Sequence, residues 1–471
     1  MPSVTKTNAN PFLYERAQLE DIAVTALKSA QTLGASDAVV NVSEGDNLSV
    51  SVRHGQLDVM QRNRSKRISV TLYAGHHRGS ASSTDFAPGA IQATLEAAWH
   101  IASFTASDSC AGPAEAEFLE VAPPDLDLFH PWEISPEEAI DLARQIESAA
   151  LATSPLIING GEAIADEQGS PTLNSGGASV STHHGQFFMA TSQGFRGGYA
   201  QSMHHMGCRV IAGNANGMQT GAWGMVRRAA EDIDSPQTLG RQAAERALAR
   251  LNARRLPTGA WPVLFEAPIA GSLVGALVGA SSGDAQYRRQ TFLPESLGHL
   301  VMADHLSLTE VAHERRGLAS APFDAEGVRT RDRMVVESGV LRGYFLSSYS
   351  ARKLGLPTTG HAGGAHNLRL VSRLTSASDD FAAMLGKLGT GVLVTELMSQ
   401  GINPVTGDYS RGVSGFWVEG GKILYPVEEI TIAGNLKDML RGIVGVGSDI
   451  LVQGGVCTGS ILIDRMQIAG L

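Results

Sequence analysis

The stretch FWVEGGKILY, Phe416 to Tyr425, constrains this chain more than any other. Two glycines separate two alternating runs. A two-residue turn needs positive φ at both central positions, where glycine meets no steric cost. The spacing predicts a β-hairpin with Glu419 and Lys422 facing each other as a cross-strand charge pair. Pro426 has no N–H for a ladder and belongs at a sheet edge or a strand end. The hairpin is entered through Asp408, Tyr409, Ser410 and Arg411, read as part of a glycine-spaced turn from Gly407 to Gly415. Glycine makes up 53 of the 471 residues, above the usual share of about 7%, so further turns and close backbone approaches are expected.

Upstream, Leu19, Ile22, Ala23, Ala26, Leu27, Ala30 and Leu33 recur at helical spacing, and Gly34 stops them. DAVVNV, NLSVSV, QLDVM and ISVTLYAG follow as short strands, then a second helix through Ile91, Leu95, Ala98 and Ala102. Residues 108–134, rich in prolines, small residues and acids, read as a linker. Ser135 caps the next helix, Pro136 suits its first position and Glu138 completes a capping box. More strands run to about Met225, and Asp234-Ser235-Pro236 opens another helix bearing Leu239, Ala243, Ala247 and Leu251. From about Leu256 the chain is rich in strands and glycine. The fold class is α+β: two smaller α+β units in series, 1–107 and 135–233, precede a large β-rich C-terminal domain, 234–471.

The bulk properties exclude several classes of function. A net charge of −10 and the lack of any long Lys/Arg block argue against nucleic acid or an anionic membrane as partner. Cys110, Cys208 and Cys457 lie far apart with no CxxC pair, so reduced thiols are expected. The N-terminal stretch lacks the apolar core of a signal peptide. No run of about 18 or more apolar residues occurs, so no transmembrane helix is predicted. The chain reads as cytoplasmic.

Motifs for other chemistries fail on spacing. GKLGTG, Gly386 to Gly391, lacks the trailing Lys-Ser/Thr of a phosphate loop. GIVGVG, Gly442 to Gly447, follows a helix where a dinucleotide loop would follow a strand. The densest cluster of potential ligands is His183-His184 with His204-His205-Met206-Gly207-Cys208. On a strand His204, Met206 and Cys208 share one face. That pattern matches no zinc spacing, and core or surface histidines are the plainer reading. His76, His77, His299, His305, His361 and His366 carry less signal still.

The string GINPVTGDYSRGVSGFWVEGGKILYPVEEITIAGNLKDM resembles the C-terminal signature of the TldD/PmbA family, in its PmbA (TldE) branch. HERRGLASAPFDAEGV and the closing SILIDRMQIAG are similar to that branch as well. The resemblance implies a metallopeptidase family whose TldD branch binds zinc through HExxxH on a helix and a cysteine near the C-terminus. Two imidazoles on one side of a helix hold the ion, which lowers the pKa of a bound water, and the glutamate serves as base. This sequence contains no HExxxH. Where the resemblance would put it, Pro268 to Gln290 reads PIAGSLVGALVGASSGDAQYRRQ. Gly271, Gly275 and Gly279 recur every fourth residue there, which reads as a buried, closely packed helix without a ligand. Cys457 stands roughly where the family's ligand cysteine would be.

The resemblance implies that a PmbA/TldE-type chain pairs with a TldD-type subunit carrying the zinc. It also implies that the pair degrades or processes unfolded peptides, such as antitoxins and microcin leader peptides. No catalytic residue and no metal are then expected on this chain. An extended peptide can add to a sheet edge through main-chain hydrogen bonds. Asp408, Tyr409, Ser410, Arg411, Phe416 and Trp417 are the candidate walls of its passage. The alternatives for them are turn closure by Asp408 and Ser410 through their own backbone and core packing by Phe416 or Trp417. Two rival functions are a stand-alone metallohydrolase using His204, Cys208 or Cys457, and a non-catalytic peptide-binding homodimer.

Overall fold

Strand β1 (Asp37–Arg53) carries the alternation that organises the first half of the protein. Ala38, Val40, Val42, Leu48, Val50 and Val52 are all buried on one of its faces, as the period of two requires. In the computed structural model, which describes residues 10–153, 171–398 and 401–470, β1 pairs along its whole length with β2 (Gln56–Ala74). Its other side pairs with β4 (Thr172–Thr191). With β3 (His77–Ser83), β5 (Arg196–Gly197), β6 (Ala200–Asn214) and β7 (Gly217–Arg227) they form a seven-stranded sheet, in the order β3-β2-β1-β4-β6-β7 with β5 on β4. The N-terminal residues read as lacking a signal peptide include 1–9, which lie outside the described residues.

Helices cover this sheet in two pairs. Helices α1 (Arg16–Thr32) and α2 (Pro88–Phe104) pack on Ala38, Val40 and Val42. Helices α3 (Pro136–Leu151) and α4 (Pro236–Leu248) pack on Leu48, Val50 and Val52. The capping box predicted at Ser135 and Glu138 is formed, and Ser235 caps α4 by accepting from Thr238. The two α+β units are therefore distinct in their helices and continuous in their sheet. The four short strand pieces of the first unit are two long strands, β1 and β2. On the opposite face, Val39, Met189 and Phe195 meet Phe323 and Val328 of the C-terminal domain.

The C-terminal domain holds two six-stranded sheets. One runs β11 (Val340–Leu341), β10 (Arg333–Glu337), β9 (Leu306–Val311), β12 (Asn367–Ser372), β18 (Val456–Thr458), β17 (Leu451–Val452). The other runs β15 (Lys422–Asn435), β14 (Asp408–Glu419), β13 (Gly391–Leu397), β8 (Gly259–Phe265), β19 (Ile461–Ala469), β16 (Ile443–Val446). Pairing of Thr431–Ala433 with β19 closes five of these strands into a ring. Among the described residues no helix is long and apolar enough to cross a membrane.

The hairpin at the centre of the sequence reading is formed. Gly420 and Gly421 have φ of 55° and 75°, and Glu419 is in register with Lys422. Two expectations are corrected. The segment from Asp408 to Gly415 is not a turn but the first two thirds of β14. Its glycine at 415 serves close approach, since a Cβ there would lie 1.9 Å from the Leu393 carbonyl oxygen. The glycine stripe of helix α5 (Ala267–Ala280) is not buried throughout. Leu273, Val274 and Leu277 bury the opposite side, while a Cβ at Gly275 or Gly279 would meet nothing within 4 Å. Four-residue spacing marks one side of a helix but does not say which side is covered.

The two kinds of glycine predict opposite responses. A Cβ at Gly240 of α4 would lie 2.3 Å from the Ile146 carbonyl oxygen and 2.8 Å from the Ala150 nitrogen, both on the α3 backbone. Gly240→Ala is expected to destabilise by about 1–3 kcal/mol, read as a lower urea midpoint at unchanged slope. Gly275→Ala is expected to stabilise by up to about 1 kcal/mol through helix propensity. A loss of stability there would mean that the face is covered.

Candidate functional site

β6, β7 and α4 front the C-terminal domain across a groove. Two cavities of about 540 and 440 Å³ share Arg209, Ala222, Trp223 and Arg246 in their walls. In the larger cavity Phe381, Leu393, Phe416 and Ile423 supply the apolar side. In the smaller one Pro268 and Ile269, at the start of α5, face His205 and Cys208. Arg246 projects from the last turn of α4 and forms a bidentate pair with Glu266, at 2.9 and 2.6 Å. Its guanidinium also lies 5.2 Å from the centre of the Trp223 ring. Arg250 donates to the Thr220 carbonyl at 3.0 Å and pairs with Glu396. Two carboxylates of the groove, Glu266 and Glu396, are thus neutralised by arginines. The chemistry on offer is binding by aromatic, apolar and ion-paired surface.

Of the six sequence-derived candidates, Phe416 lines this groove. Trp417 points to the other side of β14, packs edge-on against Trp261 with 5.0 Å between ring centres, and donates to Glu419 at 2.8 Å. Strand alternation places them on opposite faces, and both faces are covered, so both rings are buried. Tyr409 is also buried; burial pushes its phenol up to about 12, with Arg411 opposing. Asp408 is exposed and accepts from Thr406 at 2.6 Å and Asn435 at 3.2 Å. Ser410 is exposed, and its backbone nitrogen donates to Gly401. Arg411 is half-buried on the same strand.

The histidine and cysteine alternative has a clear place in the structure. His204 is fully buried; its Nε2 donates to the His130 carbonyl at 2.8 Å and its Nδ1 accepts from the Thr182 hydroxyl at 2.8 Å. Neither ring nitrogen keeps a lone pair for an ion. Burial pushes the Cys208 thiol up to about 12, and Glu147 adds to it. Cys457 lies in a different sheet, on β18, its thiol also raised by burial.

The one group with metal-ligand spacing among the described residues is Glu310, His361 and His366, all buried. In the strand LSLTEV, Leu306, Leu308 and Glu310 face inward, so the alternation that builds the core also buries a carboxylate. Arg333 is its cross-strand neighbour on β10. The loop GHAGGAH, turned by Gly360, Gly363 and Gly364 at positive φ, brings the two histidines back over it. Signals in the sequence were an acid at an inward strand position and two histidines in one glycine loop. Neither is specific without knowledge of what faces it.

The donor set does not fit a divalent ion. Glu310 Oε1 accepts from His361 Nε2 at 2.9 Å and from the His366 backbone nitrogen at 2.7 Å. Oε2 accepts from Arg333 Nε at 2.7 Å and His361 Nε2 at 2.8 Å. His366 Nε2 donates to the Gly360 carbonyl at 3.1 Å. A metal would share this carboxylate with a guanidinium already in contact, positive against positive. Burial pushes the Glu310 carboxyl up, but His361 and Arg333 outweigh it and hold it at about 2. Burial likewise lowers His361, against the pull of Glu310. The state is an ionised Glu310, a cationic Arg333 and a neutral His361.

Both shifts are downward, so both groups stabilise the fold at neutral pH and lose that contribution on acidification. Stability is expected to fall first below about pH 6.5, where the unfolded His361 takes up a proton. It falls again between about 4.5 and about 2, as Glu310 protonates. Glu310→Gln is expected to cost about 3–5 kcal/mol at pH 7, since Arg333 stays buried without its countercharge. That variant should lack the second acid step. Urea melts at pH 7, 5 and 3 check both points.

The comparisons with known proteins cover nearly the whole chain. Family profiles described as PmbA/TldA metallopeptidase domain 1, central domain and C-terminal domain match residues 38–102, 129–251 and 258–470. The chain is 45% identical over 457 residues to Metalloprotease PmbA of Escherichia coli O157:H7, covering 97% of each. It is 40% identical over 456 residues to a PmbA homologue of Haemophilus influenzae, again covering 97% of each. Its fold matches the crystal structure of TldE from Thermococcus kodakarensis with a TM-score of 0.79 at 18% identity, covering 95% of this chain and 100% of that one. With all three domain profiles and a full-length relative in agreement, the chain belongs to the PmbA/TldA metallopeptidase family, in its PmbA branch.

Proposed function

We propose that this chain is the metal-free subunit of a two-chain peptidase. In the cytoplasm it pairs with a TldD-type subunit that supplies HExxxH-bound zinc, and the pair degrades or processes unfolded peptides. The observation that carries this reading is the chemistry of α5. The sequence resemblance would put the family's HExxxH helix here, and the fourteen residues of α5, APIAGSLVGALVGA, include no histidine, carboxylate or cysteine. The Glu310 centre does not substitute for it, because Arg333 already holds the cation position. The groove beside α5 supplies the complementary role. It offers Phe416, Trp223 and ion-paired rims to an extended chain, whose main-chain groups are the same in every sequence. Asp408, Ser410 and Arg411 on β14 are further contacts for peptide or partner, while Tyr409 and Trp417 hold that strand in place.

The test is digestion of an unfolded peptide together with elemental analysis. The chain alone is expected to carry well under one zinc per molecule and to leave the peptide intact. Mixing with a subunit of similar length bearing HExxxH is expected to start digestion, and Phe416→Ala to raise the KM of the mixture several-fold. Stoichiometric zinc on the chain alone, with cleavage, would overturn the proposal.

A further inference from the structure

A cavity of about 950 Å³ shares no lining residue with the groove. It lies on the face of the seven-stranded sheet opposite α1 and α2. In β2 the alternation buries Ile68, Val70 and Leu72 under those helices and turns Ser69, Thr71 and Tyr73 into the cavity, with Asn41 of β1 beside them. The facing wall belongs to the C-terminal domain. It consists of Ala325, Glu326 and a short helix, Ser348–Leu354, that presents Tyr349 and Lys353.

Residues 105–114 close the remaining side, and that wall is fixed. Arg352 donates to the Cys110 and Gly112 carbonyls, both at 3.0 Å, and pairs with Glu115 at 2.8 Å. Asp108 accepts from the Tyr349 hydroxyl at 2.7 Å, from Lys353 at 2.9 Å and from the Cys110 nitrogen at 3.0 Å. Asp108 and Lys353 therefore satisfy each other. Two other charges of the cavity are not used up. Arg78 makes no hydrogen bond or ion pair among the described residues. Glu326 accepts from the Ser348 nitrogen through Oε2, at 2.8 Å, and its other oxygen has no partner among the described residues. Tyr73 links them. It is directly opposite Arg78 in the β2–β3 ladder and only 6% exposed. Burial raises its phenol, which Arg78 lowers and Glu326 raises further, so both charges act on one hydroxyl. That hydroxyl stays protonated and can donate.

We propose that this cavity holds a short peptide of two or three residues with both ends unblocked. Its carboxylate bonds Arg78 and the Tyr73 hydroxyl, and its ammonium bonds the free oxygen of Glu326. Asn41, Ser69 and Thr71 on the sheet meet the amide groups between. The charges select this occupant. A phosphate would face Glu326 with like charge, and a neutral ligand would use neither ion. Holding both ends in one cavity limits the occupant to a few residues, since an extended chain lengthens by about 3.4 Å per residue. The volume is within the range of about 300–1,000 Å³ of small-molecule sites. The inference stands independently of the peptidase reading.

Calorimetric titration of the full-length chain with trialanine, its C-terminal amide and its N-acetyl derivative tests this. Trialanine is expected to bind saturably, at about 1 mM or tighter. Each block is expected to weaken binding about tenfold, the worth of one hydrogen bond to a charged group. The losses should separate by residue. Arg78→Gln should weaken trialanine by a similar factor and abolish the effect of amidation, while acetylation still costs affinity. Glu326→Gln, which keeps an oxygen for the Ser348 nitrogen, should do the reverse. Circular dichroism melts confirm that both variants are folded. No binding of trialanine, binding that neither block weakens, variants that respond alike to both blocks, or inorganic phosphate bound as tightly as trialanine would overturn the proposal.

Discussion

A carboxylate with no solvent exposure must find its countercharge inside the protein, and much of the C-terminal domain is arranged around that demand at Glu310. The carboxylate draws Arg333 across from β10, the backbone of His366 from the start of β12, and His361 from the intervening loop. Arg333 is in turn fixed by the Tyr344 carbonyl and lies over the Phe345 ring. A central polar knot of this kind adds little net free energy over an apolar packing of the same shape. It does define one arrangement of three strands and a loop, because any shift leaves a buried charge unpaired.

The same arithmetic separates this centre from a catalytic one. A metal site needs a carboxylate and imidazoles whose lone pairs converge on empty space, and here they converge on a guanidinium. His204 shows the apolar version of the same fate, with both ring nitrogens spent on Thr182 and His130. His204, His361 and His366 are spent on hydroxyl, backbone and carboxylate groups. The groove between α4, β7 and the C-terminal domain offers a different surface, where arginine–carboxylate pairs frame Phe416 and Trp223.

Local signals were the legible ones. The helix starts at Ser135 and Ser235 follow from side chains that bond their own helix. The hairpin turn follows from two glycines that must take positive φ. Legibility ended where a residue's role depends on its neighbours across space. Gly415 and Gly407 look alike in sequence, yet one makes room for the Leu393 carbonyl and the other turns the chain at φ 83°. His361 and His366 gave no specific signal because their partners, Glu310 and Arg333, are between 28 and 56 residues away.

The sequence by itself determined the class of fold, the hairpin, the helix caps and the absence of an HExxxH pair, since each depends on residue identity and short-range geometry. Only the tertiary structure decided that two helical units share one sheet. It also decided that one side of the α5 glycine stripe lies open and that a glutamate, an arginine and two histidines meet. Those outcomes rest on which surfaces are pressed together, and pairing between distant strands is set by the packing of the whole chain rather than by any window along it.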